Sequence, residues 1–267
     1  MALIKTPEEI QALKEGGILL SKTLRSIRKA CVAGVSTKSL DDLAQKLIAE
    51  AGGTPSFLNY RISPKDPGYP AAVCTSINDE VVHGIPKADR ILKDGDIIGL
   101  DIGMWYKNVC TDMATTVMIG NVSPKVAGLV AATRESLVRG IATIKNGSLI
   151  SDIGGAIEDF IKPKGYGIVK EMVGHGVGHA VHEDPVIEHY RDPHARRVVC
   201  KTGMVLAVEP MINLGDWRIY QKDDGWTIAT RDGSVSAHFE VTVVVTDDGY
   251  ELVTPWPDEE VGKSMSR

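Results

Sequence analysis

Ile10, Leu13, Gly17, Leu20, Leu24, Ile27 and Cys31 follow one another at steps of three and four, the period of a single helical face. Thr6-Pro7-Glu8-Glu9 precedes them with an N-cap hydroxyl, a proline at the first helical position and a capping-box glutamate. The pattern predicts an amphipathic helix that Gly34 terminates. A second helix is expected to begin between Ser36 and Ser39, to bury Leu40, Leu43 and Leu47, and to stop at Gly52-Gly53. A polar, proline-rich loop comes next. Beyond it, Ile97 to Ile102 and Ala114 to Ile119 are short apolar runs on either side of a polar turn containing Lys107 and Asn108. This pair predicts a long hairpin.

The second half repeats the order. Ser123-Pro124 caps a helix through Val126, Leu129, Val130, Leu137 and Ile141, a shorter helix runs from about Ser151 to Ile161, and two strands follow. The strongest local match sets Lys93-x-Gly95-x-Ile97-Ile98-x-Leu100-Asp101 against Lys201-x-Gly203-x-Val205-Leu206-x-Val208-Glu209. In both, an apolar run ends on a carboxylate. The second strand of each half carries a carboxylate early, Asp112 before Ala-Thr-Thr-Val and Glu240 before Val-Thr-Val-Val, with a longer excursion in the second hairpin. We therefore expect an α+β fold in one domain spanning 1–267. Its two pseudo-symmetric halves, roughly 1–120 and 121–250, would each pack helices on an antiparallel sheet.

Composition narrows the function. A net charge of -5 offers no footprint for nucleic acid, and there is no Lys/Arg run for an acidic membrane surface. No apolar stretch approaches the ~20 residues that span a bilayer, and the first ten residues lack a signal-peptide pattern. A cytoplasmic location is the expectation. Cys31, Cys74, Cys110 and Cys200 are widely spaced and predict reduced thiols.

Carboxylates at inward positions of apolar strands need a partner, because burying an unpaired charge is costly. Asp101, Asp112, Glu209 and Glu240 form a repeated set of this kind, and no arginine lies within the apolar strands to neutralise them. Divalent cations are the remaining partner. Two of them would bring four positive charges to four carboxylates. Oxygen donors with an imidazole suit Co, Mn, Fe or Zn without choosing among them. The imidazole is expected from Gly174-His175-Gly176-Val177-Gly178-His179-Ala180-Val181-His182-Glu183, which leaves His175, His179 and His182 as candidates. His175 and His179 do not form a zinc-protease H-E-x-x-H helix, since the glutamate is missing and Gly176 and Gly178 disfavour a helix.

Asp101 and Asp112 eleven residues apart, the Gly-His-Gly-Val-Gly stretch, Glu209-Pro210, Ser236-Ala237-His238-Phe239-Glu240 and Val82-His83-Gly84-Ile85-Pro86 together resemble the type I methionine aminopeptidases. The resemblance runs over nearly the whole chain and implies the pita-bread fold. It implies Asp101 as the chelating ligand of one ion, Asp112 and Glu240 as bridges, and His175 and Glu209 on the other ion. Two ions so placed would activate water and polarise the scissile carbonyl. His182 would donate to that carbonyl oxygen, His83 would contact the scissile nitrogen or the next peptide group, and Glu209 would also relay a proton. Phe57, Tyr60, Tyr69, Cys74 and Trp226 would form the methionine pocket, with Val181 beside them. The implied substrate is the N-terminal methionine of nascent polypeptides, with the ribosome a candidate partner and the chain a monomer.

Three departures stand out against that resemblance. The link Arg61 to Pro67 is longer than usual, His179 stands where Arg or Thr is frequent, and His238 replaces a common glutamine. The interval from His175 to Glu209 leaves no room for the helical insertion of type II enzymes, which indicates a bacterial-type short form. Two other readings compete: an Xaa-Pro aminopeptidase or creatinase-like hydrolase on the same metals, and a non-catalytic binding protein of the same fold.

Overall fold

The structure is a computed structural model that describes residues 4–63 and 67–258. Pro64, Lys65 and Asp66 of the long link lie outside the described residues. Helix α1 spans Pro7–Ala30, and its capping box is complete. Thr6 Oγ1 accepts from the Glu9 N–H at 3.2 Å, and the Glu9 carboxylate accepts from the Thr6 N–H at 2.8 Å. The helix ends before Gly34, with Cys31 as its C-cap. Helix α2, Thr37–Glu50, is capped by the Ser36 hydroxyl. Helix α1 packs on a hairpin of Ile97–Tyr106 and Val109–Met118, and α2 on the flanking strands 54–55 and 73–77 of the same sheet; the hairpin is longer than the apolar runs predict because Met104, Trp105 and Cys110 extend it towards the turn. Lys107 and Asn108 make that turn with φ of 47° and 66°, the left-handed pair that suits a two-residue hairpin.

In the second half, α3 (Pro124–Ile141) and α4 (Ile150–Ile161) cover a five-stranded sheet. Its order is 250–252, 241–245, 205–208, 174–176, 183–187. Each half thus has helices on one sheet face only. Leu20, Leu24, Ile27, Leu40 and Ile48 form one core with Ile98, Leu100 and Ile102. Leu129, Leu137, Ile153 and Ile157 form a second with Leu206, Val208, Val241 and Val243. Each fully buried aliphatic side chain contributes roughly 1.5–3 kcal/mol, so this alternation strongly pins the strand register.

Period two then dictates the rest. Because Leu100 and Ile102 face the helices, Asp101 faces away from them; because Val208 and Val241 do so, Glu209 and Glu240 also face away. The two sheets meet where Ala114 pairs with Glu240, joined by N–H···O bonds of 3.3 and 3.0 Å. Threonine hydroxyls reinforce the seam from both sides. Thr116 Oγ1 donates to the His238 carbonyl at 2.7 Å and accepts from its N–H at 2.9 Å. Thr242 Oγ1 donates to the Asp112 carbonyl at 2.7 Å and accepts from its N–H at 3.3 Å.

Candidate active site

All four strand carboxylates open onto one cleft along this seam. Its walls are Phe57, Tyr60, Ile62, Tyr69, Cys74, His83, Asp101, Asp112, His175, His182, Glu209, Trp226 and Glu240, around about 510 Å³ of empty space. Every residue assigned from sequence to metal, catalysis or pocket is therefore brought together, and Ile62 joins them unforeseen. Val181 is buried in the adjoining apolar cluster without lining the cleft.

Asp101 Oδ1, Asp112 Oδ1 and Glu240 Oε1 are buried and have no hydrogen-bond partner. Burial pushes the Asp101 carboxyl up to about 7, and Asp112, Glu209 and Glu240 are pushed well above the carboxylate range by burial, two of them further by their neighbours' charge. Without a cation, burial thus favours the protonated form of all four acids.

Gly174 and Gly176 let the strand that carries His175 lie flat between its neighbours. A Cβ on Gly174 would stand 2.5 Å from the Ala207 carbonyl oxygen, and one on Gly176 would stand 2.2 Å from that of Asp184. His175 Nδ1 donates to the Gly176 carbonyl at 2.9 Å. A carbonyl only accepts, so the Nε2 lone pair is free. It points at Glu209 Oε1, 3.3 Å away, and burial lowers the imidazole pKa to about 3. A lone pair facing a carboxylate is repulsive unless a proton or a cation lies between them. Ligand atoms of Asp112, His175 and Glu240 lie within 4.8 Å of one another, as do those of Glu209, His238 and Glu240. The orphaned oxygens, the free imidazole lone pair and this crowding fit divalent cations.

Distant contacts send the other two histidines of this stretch in different directions. His179 Nε2 turns away to Glu9 Oε1 of α1, at 2.7 Å. His182 faces the cleft, with Nδ1 2.6 Å from the Tyr60 hydroxyl. Their loop is held from beneath by Glu183, which accepts from the N–H groups of His179 and Ala180. The same carboxylate pairs with Lys5 Nζ at 2.6 Å, with side chains only 4% and 1% exposed.

His83 adopts φ of +60°; such a left-handed conformation costs about 1–3 kcal/mol in a non-glycine residue and gathers at functional sites. Burial lowers its pKa to about 4, which keeps it neutral. Its ring meets Trp226 edge-on, and Trp226 meets Tyr69 in the same way at 5.3 Å. Cys74 beside them is pushed well up by burial and stays a thiol, and all four cysteines are free. His238 is buried behind the cleft with Nε2 3.6 Å from Glu209 Oε2, and burial lowers its pKa too. One contributor went unread in sequence. His189 Nε2 accepts from the Glu209 N–H at 3.2 Å and so holds that residue's backbone.

Among the described residues no helix is long and apolar enough to cross a membrane. The profile of metallopeptidase family M24 matches residues 11–247. A methionine aminopeptidase of Clostridium acetobutylicum is 39% identical over 254 residues, 95% of this chain and 99% of that protein. A crystal structure of methionine aminopeptidase from Thermotoga maritima superposes with a TM-score of 0.89 at 39% identity, over 94% of this chain and 98% of that one. An Xaa-Pro dipeptidase from Bacillus anthracis shares the architecture with a TM-score of 0.76 at 25% identity, but 96% of this chain covers only 63% of that protein. The pita-bread fold, the full-length match and the carboxylate-lined cleft agree: the chain belongs to metallopeptidase family M24 and, within it, to the methionine aminopeptidases.

Proposed function

We propose that this chain removes the N-terminal methionine of peptides and nascent proteins with two divalent ions, drawn from Co, Mn, Fe and Zn. Asp101 would hold one, His175 and Glu209 the other, with Asp112 and Glu240 bridging. The observation that carries this reading is the cluster of unpartnered, protonatable carboxyl groups facing a free imidazole lone pair. Ions held there supply a Lewis acid for the scissile carbonyl and bring the pKa of water into the neutral range.

The remaining work falls to the protein. Phe57, Tyr60, Ile62, Tyr69, Cys74 and Trp226 form the apolar wall, a surface for an unbranched thioether side chain and a poor one for a charged residue. Tyr69 is locked by donating its hydroxyl to the Gly84 carbonyl at 2.9 Å. Neutral His83 faces the cleft beside Trp226, where a peptide group following the methionine would lie. His182 donates to the carbonyl oxygen as negative charge builds on it. Glu209 takes a proton from the attacking water and returns it to the departing amine. A cytoplasmic, monomeric enzyme acting on chains that leave the ribosome goes with this reading.

The test is incubation of cobalt- or manganese-loaded protein with Met-Ala-Ser and with an Ala-Pro peptide. We expect free methionine from the first and no cleavage of the second. Cleavage of Ala-Pro, or of neither peptide, would refute the proposal.

A further inference from the structure

His175 and His182 meet edge to face with ring centroids 4.4 Å apart, and the partners of their Nδ1 atoms differ in kind. His175 Nδ1 faces a carbonyl, which must accept; Nδ1 therefore carries the hydrogen, and Nε2 offers a lone pair. His182 Nδ1 faces a phenol 2.6 Å away. A phenol is a much stronger hydrogen-bond donor than acceptor, and an imidazole nitrogen is a strong acceptor. Burial and the nearby Asp112 charge raise the Tyr60 pKa further, so its proton stays on oxygen.

The geometry points to Tyr60 as the residue that sets the tautomer of His182: its hydroxyl donates to Nδ1, which obliges Nε2 to carry the ring hydrogen and present it to the cleft. The two adjacent imidazoles then do opposite jobs. His175 offers electrons to a cation, while His182 offers an N–H to an oxygen that gains negative charge. In the other tautomer His182 would turn a lone pair towards the cleft, where it would repel that oxygen and compete with His175 for a cation. Tyr60 is thus a positioning residue as well as part of the apolar wall. It directly precedes the Arg61 to Pro67 link in the chain.

The kinetic half of this inference rests on the aminopeptidase reading; the tautomer itself can be measured without turnover. Zinc-loaded protein labelled with ¹⁵N-histidine is examined by long-range ¹H–¹⁵N correlation, with His182→Asn identifying the His182 signals. In the native chain we expect an unprotonated Nδ1 and a protonated Nε2 on His182, and the reverse on His175. In Tyr60→Phe, which keeps the ring in the wall, His182 should shift to a tautomer mixture. Its kcat on Met-Ala-Ser should fall about tenfold with KM held within about twofold, as expected when an interaction made mainly in the transition state is weakened. A native His182 protonated on Nδ1 overturns the inference, and so does a Tyr60→Phe protein with an unchanged His182 tautomer or unchanged kcat. If no peptide is cleaved but the tautomers come out as stated, the functional proposal fails and the tautomer assignment stands.

Discussion

The two halves deliver their carboxylates by different means. In the first half, Asp101 and Asp112 sit on neighbouring strands of one continuous hairpin, in a register set by a two-residue turn. In the second, Glu209 and Glu240 flank the strand pair 205–208 and 241–245, with two further strand pairings, 211–213 with 236–238 and 219–221 with 228–230, looped out between them. The aspartates are short and held by local pairing. The glutamates are longer and depend on contacts from far away: His189 on the Glu209 backbone, and Ala114 of the opposite half on that of Glu240. The two halves thus present the same kind of donor, one with local rigidity and the other with reach.

The largest effect is expected where that reach matters most. Glu240→Gln removes a carboxylate placed to bridge the halves. It should lower kcat/KM on Met-Ala-Ser by roughly 10³-fold or more, since charge stabilisation by a bound ion contributes several kcal/mol. It should also reduce the metal content of the dialysed protein. Asp101→Asn should leave one ion in place and retain more metal than Glu240→Gln. Equal retention by the two variants would break the comparison, and full activity of either would remove the metal assignment.

Metal removal itself should make stability depend on pH. Asp101 has a folded pKa of about 7, raised from 3.8, and the other three acids move in the same direction. Between these values the folded chain binds more protons than the unfolded chain, so stability falls as pH rises from about 4 through 7. Metal-free protein should therefore have a lower Tm at pH 8 than at pH 5.5. Saturating divalent ion should raise the Tm chiefly at the higher pH. A metal-free Tm that is level or rises across this interval would contradict the burial of the four acids.

The smallest effects belong to the seam. Thr116→Val and Thr242→Val each delete a hydroxyl that brackets a backbone unit of the opposite half. Each should cost about 1–2 kcal/mol in urea denaturation, the loss of hydrogen bonds with a buried group left unpaired. Thr242→Val, next to Asp112, should also weaken metal binding, whereas Thr116→Val should not. An identical response of metal affinity would mean that the seam acts as one unit.

What the sequence disclosed follows the range of the interactions. Caps at Thr6, Ser36 and Ser123 are local, and the helices begin where those residues indicate. The hairpin strands ran longer than expected because Gly103 and Asp112, small or charged residues facing the cleft, interrupt an apolar pattern that sheet pairing does not need. The four carboxylates were legible because an apolar run ending on a carboxylate occurs twice in the sequence. That His179 turns away from the cleft was not legible from spacing, since it depends on Glu9, 170 positions earlier in the chain. His189 and Lys5 carried no local sign for the same reason: each is an unremarkable residue until a distant partner meets it.

The raised pKa values of the cleft acids also make loading an exchange reaction. A cation that enters must expel the hydrogen ions that the carboxyl groups carry, so occupancy at a fixed free-metal concentration varies with acidity, by up to tenfold per pH unit for each proton displaced. The apparent heat of binding will then include the ionisation enthalpy of whichever buffer takes those protons up. Affinities measured for this protein in two different buffers or at two acidities are thus constants for two different reactions.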